Sequence, residues 1–357
     1  GEYIVSKAVK FVIVGAGNIS NTRHIPALKK IKNAEIFGVI SNKIERARKT
    51  AKKHNIPHVS QIKESSDGLV VVNADWMNDA DAWVIGAPPH LHYPLVKLGL
   101  SLDKHVLVEK PMMMNEDECN ELIKLAKSKN KVFYVMHNFQ YANKMLKLND
   151  IVESKKHGEV VSITEVQFTN HDRRLPEWYN DLPLGLFYDE AAHFLYLPER
   201  HVGKLQIQHA HAVYGNAKKE ATPVTLSVNA MAGKVPLTMF LNFRSPVCEW
   251  YYMVSFKKDI YIYDFFKDIL IHLPTDGEHL GKDVLRSSIK YTTQYWGQFI
   301  ANGIRRVIGD LLYGHDKVLS SFTSAIVDGN VDKFLTAENG KINVAAANSI
   351  IDKVNKR

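Results

Sequence analysis

The sequence predicts an α/β domain, a parallel sheet with helices on both faces, followed by an α+β domain dominated by strands. Three observations carry this. Short apolar runs alternate with amphipathic stretches from Lys10 to Met136, the pattern of strand–helix units wrapping a parallel sheet. After Asp150 the chain changes to repeated runs with period-two alternation, as half-buried strands require. Its 357 residues also exceed what one hydrophobic core usually organises, so two domains are expected, 1–138 and 139–357.

Taken in order, Phe11-Val12-Ile13-Val14 is a strand buried on both faces, followed by a glycine turn and a helix that accommodates Pro26 near its start. Glu35 to Ile40 is a second strand and Ile44 to His54 an amphipathic helix. Ala82 to Ile85 is a strand stopped by Gly86-Ala87-Pro88-Pro89, and Leu91 to Leu100 is helical. His105 to Val108, the helix Glu116 to Lys129 and the strand Val132 to Met136 close the series. In the second part, strands are predicted at Val160–Thr169, Leu205–Tyr214, Val224–Met231, Leu237–Phe243, Tyr251–Phe256, Tyr261–Tyr263 and Ile269–Leu273.

Composition narrows the function classes. No apolar run approaches the roughly 20 residues that span a bilayer, so no membrane span is expected. Two cysteines, Cys119 and Cys248, cannot staple a chain of this length, which fits a reducing compartment and a cytoplasmic location. No basic-then-apolar leader opens the chain, and Gly1 in place of Met points to processing or a tag remnant. The net charge of +8 is spread along helix faces rather than gathered into a stripe with interleaved aromatics, so nucleic acid is not expected as a partner. That charge favours an anionic substrate such as a nucleotide-sugar.

In a parallel sheet, ligands sit beyond the C-terminal ends of the strands. Gly15-Ala16-Gly17-Asn18-Ile19-Ser20 follows the first strand and opens a helix, the context a dinucleotide fingerprint requires. Glycines there admit the pyrophosphate, helix amides face it, and Ser20 is small enough to stand for the third glycine. The second strand ends in Ser41-Asn42-Lys43, with Arg46 one turn on. No carboxylate stands there to hold the ribose hydroxyls of NAD, whereas hydroxyl, amide and cationic groups suit a 2′-phosphate, so NADP is preferred over NAD.

At Val108-Glu109-Lys110-Pro111 the chain resembles the glucose–fructose oxidoreductase/inositol dehydrogenase (Gfo/Idh/MocA) family. The likeness continues through Asp81-Ala82 and the strand ending at Pro88, His92, His105 to Pro111, Asn138 and Asp189-Glu-Ala-Ala-His193. Phe322-X-X-Ala325-Ile326-X-X-Gly329 and Leu335 to Gly340 are similar to the family's closing helices. The resemblance implies a Rossmann domain followed by a substrate domain with a large, mostly antiparallel open sheet. It also implies a homodimer or homotetramer paired through that sheet, and often a cis bond before Pro111. Gly15, Gly17, Asn18, Ile19, Ser41, Asn42, Lys43, Arg46, Ala87, Pro88, His92, Glu109 and Lys110 are then the expected cofactor residues.

Hydride transfer from an alcohol needs a base for the hydroxyl proton and a positive group to steady the alkoxide. His193 suits the first role and Lys110 the second. Asp189, four residues before His193, shares its helix face and either orients the imidazole or contacts a substrate hydroxyl. The family uses matching residues in this way. Lys110, Asn138, Trp178, Asp189 and His193 are the expected substrate contacts, with Asp181 and Gly185 in the same loop.

The reaction implied is NAD(P)-dependent transfer between nicotinamide and a secondary alcohol or ketone of a sugar, polyol or nucleotide-sugar. A catalytically silent dinucleotide-sensing regulator and an NAD-dependent glycosidase are the alternatives. Arg173 and Arg174 are candidates for gripping an anion, though a solvated loop is the commoner fate. His209 and His211 share a strand face without a convincing third ligand, so no metal is expected. Met112-Met113-Met114 reads as packing. The chain departs from the family pattern at His137-Asn138-Phe139-Gln140-Tyr141, where arginine often follows the asparagine, at the reduced glycine segment Leu184-Gly185-Leu186, and at Ser255-Phe256-Lys257-Lys258.

Overall fold

In the computed structural model, which describes residues 8–66, 68–173, 175–215, 221–309, 311 and 313–355, β1 (Val9–Val14) is the central strand of a seven-stranded sheet. Gly1 and Arg174 lie outside the described residues. Strand β1 pairs in parallel with β2 (Ala34–Ser41) on one side and β5 (Ala82–Ile85) on the other. Strand β3 (His58–Ser65) follows β2 in parallel, and β4 (Gly68–Val72) closes that edge antiparallel. Beyond β5, β6 (His105–Val108) and β7 (Phe133–Val135) continue the parallel run. The strand order reverses between β1 and β5, the switch point at which an open α/β sheet binds ligands.

Four helices connect these strands: α1 (Ile25–Leu28), α2 (Ile44–His54), α3 (His92–Ser101) and α4 (Glu116–Ser128). Helix α2 carries Lys52, Lys53 and His54 in its last turn and ends on Asn55 at φ 57°, so basic groups meet the negative end of the dipole. The Asn115 side chain caps α4 by accepting from the Glu118 amide at 2.9 Å, and three acidic residues fill the first turn.

The chain divides into two units, one comprising Gly1–Asn138 with Gly314–Ala345, the other Phe139–Tyr313 with Ala346–Arg357. A continuous 139–357 unit therefore does not describe the contacts. Helix α8 (His315–Asp328) sets Phe322, fully buried, against the rings of Phe11 and Tyr134 at 6.0 and 5.6 Å. Leu335 accepts from the Val135 amide, so this returning segment completes the first unit beside β7. The closing helix α9 (Ala337–Asn355) is divided between the units.

The second unit is a seven-stranded sheet in the order β14-β13-β12-β8-β11-β10-β9. Its strands are β8 (Val160–Asn170), β9 (Gln206–Val213), β10 (Thr225–Ala232), β11 (Val235–Ser245), β12 (Glu249–Phe256), β13 (Asp259–Asp264) and β14 (Ile269–Pro274). Every neighbouring pair is antiparallel except β8 with β11. Along β12, Trp250, Tyr252, Val254 and Phe256 are buried while the residues between them are partly exposed, the alternation expected of a sheet with one covered face. The unit also contains α5 (Asn143–Ser154) and α6 (Leu186–Val202), whose Phe194 packs edge-on to Trp250 at 5.2 Å.

Helix α7 (Gly281–Val307) has an unusual polarity. Gln294, Gln298 and Asn302, one turn apart, face the edge strand β14. Gln298 accepts from the Leu270 amide at 3.0 Å and donates to the Leu270 carbonyl at 2.8 Å. Gln294 does the same at His272, and Asn302 donates to the carbonyls of Lys267 and Asp268. The side chains thus satisfy an edge that would otherwise be open to another strand. Leu285, Ile289, Trp296 and Ile300 point away from it and are exposed. No helix among the described residues is long and apolar enough to cross a membrane.

Candidate dinucleotide and catalytic sites

The turns after β1 and β5 meet in the first unit. Gly15 has φ +96°, and a Cβ on it would lie 2.4 Å from the Gly86 carbonyl oxygen, so only glycine fits. The Ser20 hydroxyl donates to the Gly15 carbonyl at 2.6 Å. Ile19 and Ser20 press so closely on Gly86 that a Cβ there would come within 2.9 Å of each. Ser20 therefore takes the close-packing role of a third glycine. The helical turn starts at Asn18, and the space above Gly17 is open.

A cavity of 690 Å³ in the second unit is larger, but the 600 Å³ cavity over these turns is lined by seven of the thirteen predicted cofactor residues. Gly15 and Gly17 line one part, Ala87 and Pro88 another, and Ser41, Asn42 and Arg46 a third. Lys43, the N-cap of α2, is exposed and lies outside this lining; Asn18, Ile19, His92, Glu109 and Lys110 do not line the cavity either. Strand β3 adds Gln61, Lys63 and Glu64, which the sequence reading missed. Gln61 donates to the Asn42 carbonyl at 2.8 Å and so fixes the tip of β2.

His92 is fully buried and holds two turns together. Its Nδ1 lies 2.7 Å from the Pro111 carbonyl and its Nε2 2.9 Å from that of Ala87. Burial pushes its pKa below the ordinary value, against the pull of those two carbonyls. The Lys110–Pro111 peptide is cis.

Glu109 is buried beside Lys110. Burial alone would raise its carboxyl, but the His24 hydrogen bond and charge, with His315 and Lys110 nearby, hold it at about 2. His24 Nε2 is 2.7 Å from Glu109 Oε1, and His315 Nε2 is 4.0 Å from the same oxygen. Burial lowers His137, at the end of β7, to about 3. Neither His24 nor His315 was legible as a partner, because the three residues are far apart in sequence and lie on separate elements.

The second unit positions the other predicted groups. Gly185, at φ +57°, starts α6 where a Cβ would collide with Thr222 Oγ1 at 2.1 Å. Asp189 is buried in the first turn and His193 follows one turn later. Tyr196 engages His193 Nδ1 at 2.9 Å and accepts from the Phe139 amide at 3.0 Å. Phe139 and Trp250 stand 4.9 and 5.9 Å from the imidazole, ring to ring. Burial first, then Asp189 and Glu190, pushes the Tyr179 phenol above its ordinary value. Tyr196 and Tyr179 were missed, since a tyrosine acting through a neighbour leaves no motif. Arg173 is no open anion grip: it pairs with Glu190 at 2.7 Å. Trp178 is partly exposed and packs 4.2 Å from the Tyr179 ring, Asn138 is buried, and His209 and His211 are exposed on β9.

Residues 9–137 match a family described as oxidoreductases with an NAD-binding Rossmann fold. An uncharacterized oxidoreductase of Schizosaccharomyces pombe is 32% identical over 197 residues, 52% of this chain and 50% of its own length. The uncharacterized oxidoreductase YdgJ of Escherichia coli is 30% identical over 198 residues, 54% and 53% of the two chains. The match thus spans about half the length of these curated relatives. Over nearly the whole chain, the fold is shared with the WlbA dehydrogenase of Bordetella pertussis, solved with NADH and UDP-GlcNAcA, at TM-score 0.76 and 15% identity, covering 99% and 97% of the chains. It is shared also with UDP-N-acetylglucosamine 3-dehydrogenase of Acidithiobacillus ferrooxidans, at TM-score 0.72 and 14% identity, covering 98% of each. With its glycine turns at the strand-order switch, the first unit carries the NAD-binding Rossmann domain of the Gfo/Idh/MocA oxidoreductases, which residues 9–137 match.

Proposed function

We propose that the chain is an NAD(P)-dependent dehydrogenase or reductase acting on a secondary hydroxyl, or its ketone, in a sugar, polyol or nucleotide-sugar. The observation that carries this reading is the cavity at the strand-order switch, where residues from three separate turns come together. The open space over Gly17 and the polar rim at Ser41 and Asn42 fit a dinucleotide, pyrophosphate at the glycines and adenosine ribose at the rim. Bound there, that group supplies the hydride acceptor or donor.

The chain's own residues do the rest. Lys110 offers its ammonium to the oxygen on which negative charge develops. Glu109, held ionised by His24, orients a ribose hydroxyl. In the second unit, His193 takes or returns the hydroxyl proton at a ring nitrogen, with Tyr196 fixing the ring. Asp189 binds a substrate hydroxyl. The relatives named for UDP-linked amino sugars support a nucleotide-sugar substrate.

We prefer NADP to NAD. Arg46 and Lys63 offer positive charge near the adenosine rim, against the single carboxylate of Glu64. We also expect a homodimer or homotetramer through the outward face of the second sheet, where Phe240 is exposed. The decisive experiment follows absorbance of the reduced nicotinamide across a panel of sugars and nucleotide-sugars with each cofactor. Turnover with any of them supports the reading. Cofactor binding without turnover on the whole panel, unchanged in Lys110→Ala, overturns it in favour of a dinucleotide-sensing regulator.

A further inference from the structure

We propose that the second unit carries a divalent transition-metal site formed by His157, Asp259 and His272. His157 lies in the turn between α5 and β8, Asp259 opens β13, and His272 lies on β14. Their ligand atoms all fall within 4.8 Å of one another. His157 Nδ1 and His272 Nε2 converge on one carboxylate oxygen, Asp259 Oδ2, at 2.5 and 3.0 Å. The other oxygen, Oδ1, is buried and has no hydrogen-bond partner among the described residues. A carboxylate side chain only 8% exposed with one orphaned oxygen is costly unless something else binds it.

Two imidazoles and a carboxylate are the ligand set of an open tetrahedral zinc site, which adds a water as fourth ligand. Metal–ligand bonds of about 2.0–2.2 Å place tetrahedral ligand atoms roughly 3.3 Å apart. The two contacts to Asp259 therefore need to widen by less than about an ångström, and the two imidazole nitrogens, within 4.8 Å of each other, to approach by at most about 1.5 Å. The surroundings are already arranged for it. Tyr261 OH sits 3.2 Å from His157 Nε2, the outer partner that a metal-bound imidazole requires on its second nitrogen. The Tyr261 ring stacks on His272 at 4.5 Å, and Gln294 clamps the His272 backbone on both sides. Both imidazoles are 27% exposed and Asp259 lines the 690 Å³ cavity between β13, β14 and α7, so an ion has access from solvent. Bound there, it ties the α5–β8 turn to the edge of the sheet. The proposal stands apart from the dinucleotide site, whose residues all lie in the first unit.

The test is calorimetric titration of the tag-free, chelator-treated 357-residue chain with ZnCl2. One zinc per chain is expected, with a rise in Tm because the ion binds the native state. His272→Gln and Asp259→Asn should each lose more affinity than the ~10–100-fold that removing an outer partner costs, and Tyr261→Phe should fall within that range. His279→Gln, which alters a separate exposed His–Asp pair, should leave binding unchanged. No stoichiometric binding, or binding that survives in both ligand variants, overturns the proposal. If a ligand variant fails to fold, the Co2+ spectrum of the unmutated protein decides. Intense four-coordinate bands support the site, and a weak six-coordinate spectrum overturns it.

Discussion

His24 Nε2 lies 2.7 Å from Glu109 Oε1, with His24 wholly buried and the carboxylate 8% exposed. The pair joins the helix after the glycine turn to the strand end that carries Lys110. Because the folded carboxyl is held at about 2, below the 4.5 of an ordinary glutamate, its contribution to stability is present above that ordinary value. It is lost as pH falls through roughly 4.5 to 2 and amounts to on the order of 3 kcal/mol. His24→Ala should remove a similar amount, since it leaves a buried charge without its partner. Chemical denaturation at pH 7 and pH 3 checks both statements: the variant should be the less stable at pH 7, and the gap should narrow at pH 3.

Lys110→Ala should lower kcat by ~10²–10³-fold, the cost of removing one group that stabilises developing negative charge. Cofactor affinity, measured by fluorescence titration, should change by less than about 3-fold, because that loss belongs to the transition state. An equal loss in cofactor binding would place Lys110 in a binding role instead.

His193→Ala should cost ~10²–10⁴ in kcat, as expected for a general base. Tyr196→Phe removes only the hydroxyl at 2.9 Å from Nδ1, so we expect a kcat about 10-fold lower with KM little changed. A shifted pH–rate profile in Tyr196→Phe would separate positioning of the imidazole from a general packing loss.

Arg46→Glu should weaken NADPH by ~10–100-fold while leaving NADH nearly as before, the range of one lost charge-assisted hydrogen bond. Equal weakening of both cofactors would remove the case for a 2′-phosphate contact.

Gln298→Ala should destabilise the protein by ~1–3 kcal/mol, because it strips both the amide and the carbonyl of Leu270 of their partner at a sheet edge. Thermal unfolding measures this, and light scattering should show increased self-association through the uncovered edge.

The parallel strands were legible because they are buried on both faces and read as apolar runs. Val12, Ile13, Val84 and Ile85 are fully buried, and the sequence alone placed their strands within a residue or two. The hairpin of β3 and β4 was not read. Lys63, Glu64 and Ser65 are exposed at the end of β3, and β4 is an edge strand with one pairing partner, so its composition carries little pattern. Helix α7 escaped for a different reason. Its packed face is Gln294, Gln298 and Asn302, and its apolar residues point outward, the reverse of the amphipathicity that sequence reading relies on. At the sites, motif residues such as Gly15 and Lys110 stood out, whereas His24, His315 and Tyr196 act through partners that only folding supplies.

The interrupted first unit sets the timing of biosynthesis. Its sheet is finished at Val135, yet Phe322, which fills the space against Phe11 and Tyr134, emerges from the ribosome only after the whole second sheet has been translated. At ordinary elongation rates that interval lasts on the order of ten seconds or more. The nascent nucleotide-binding half must wait through it with an uncovered aromatic face, a window in which a chaperone has its opportunity.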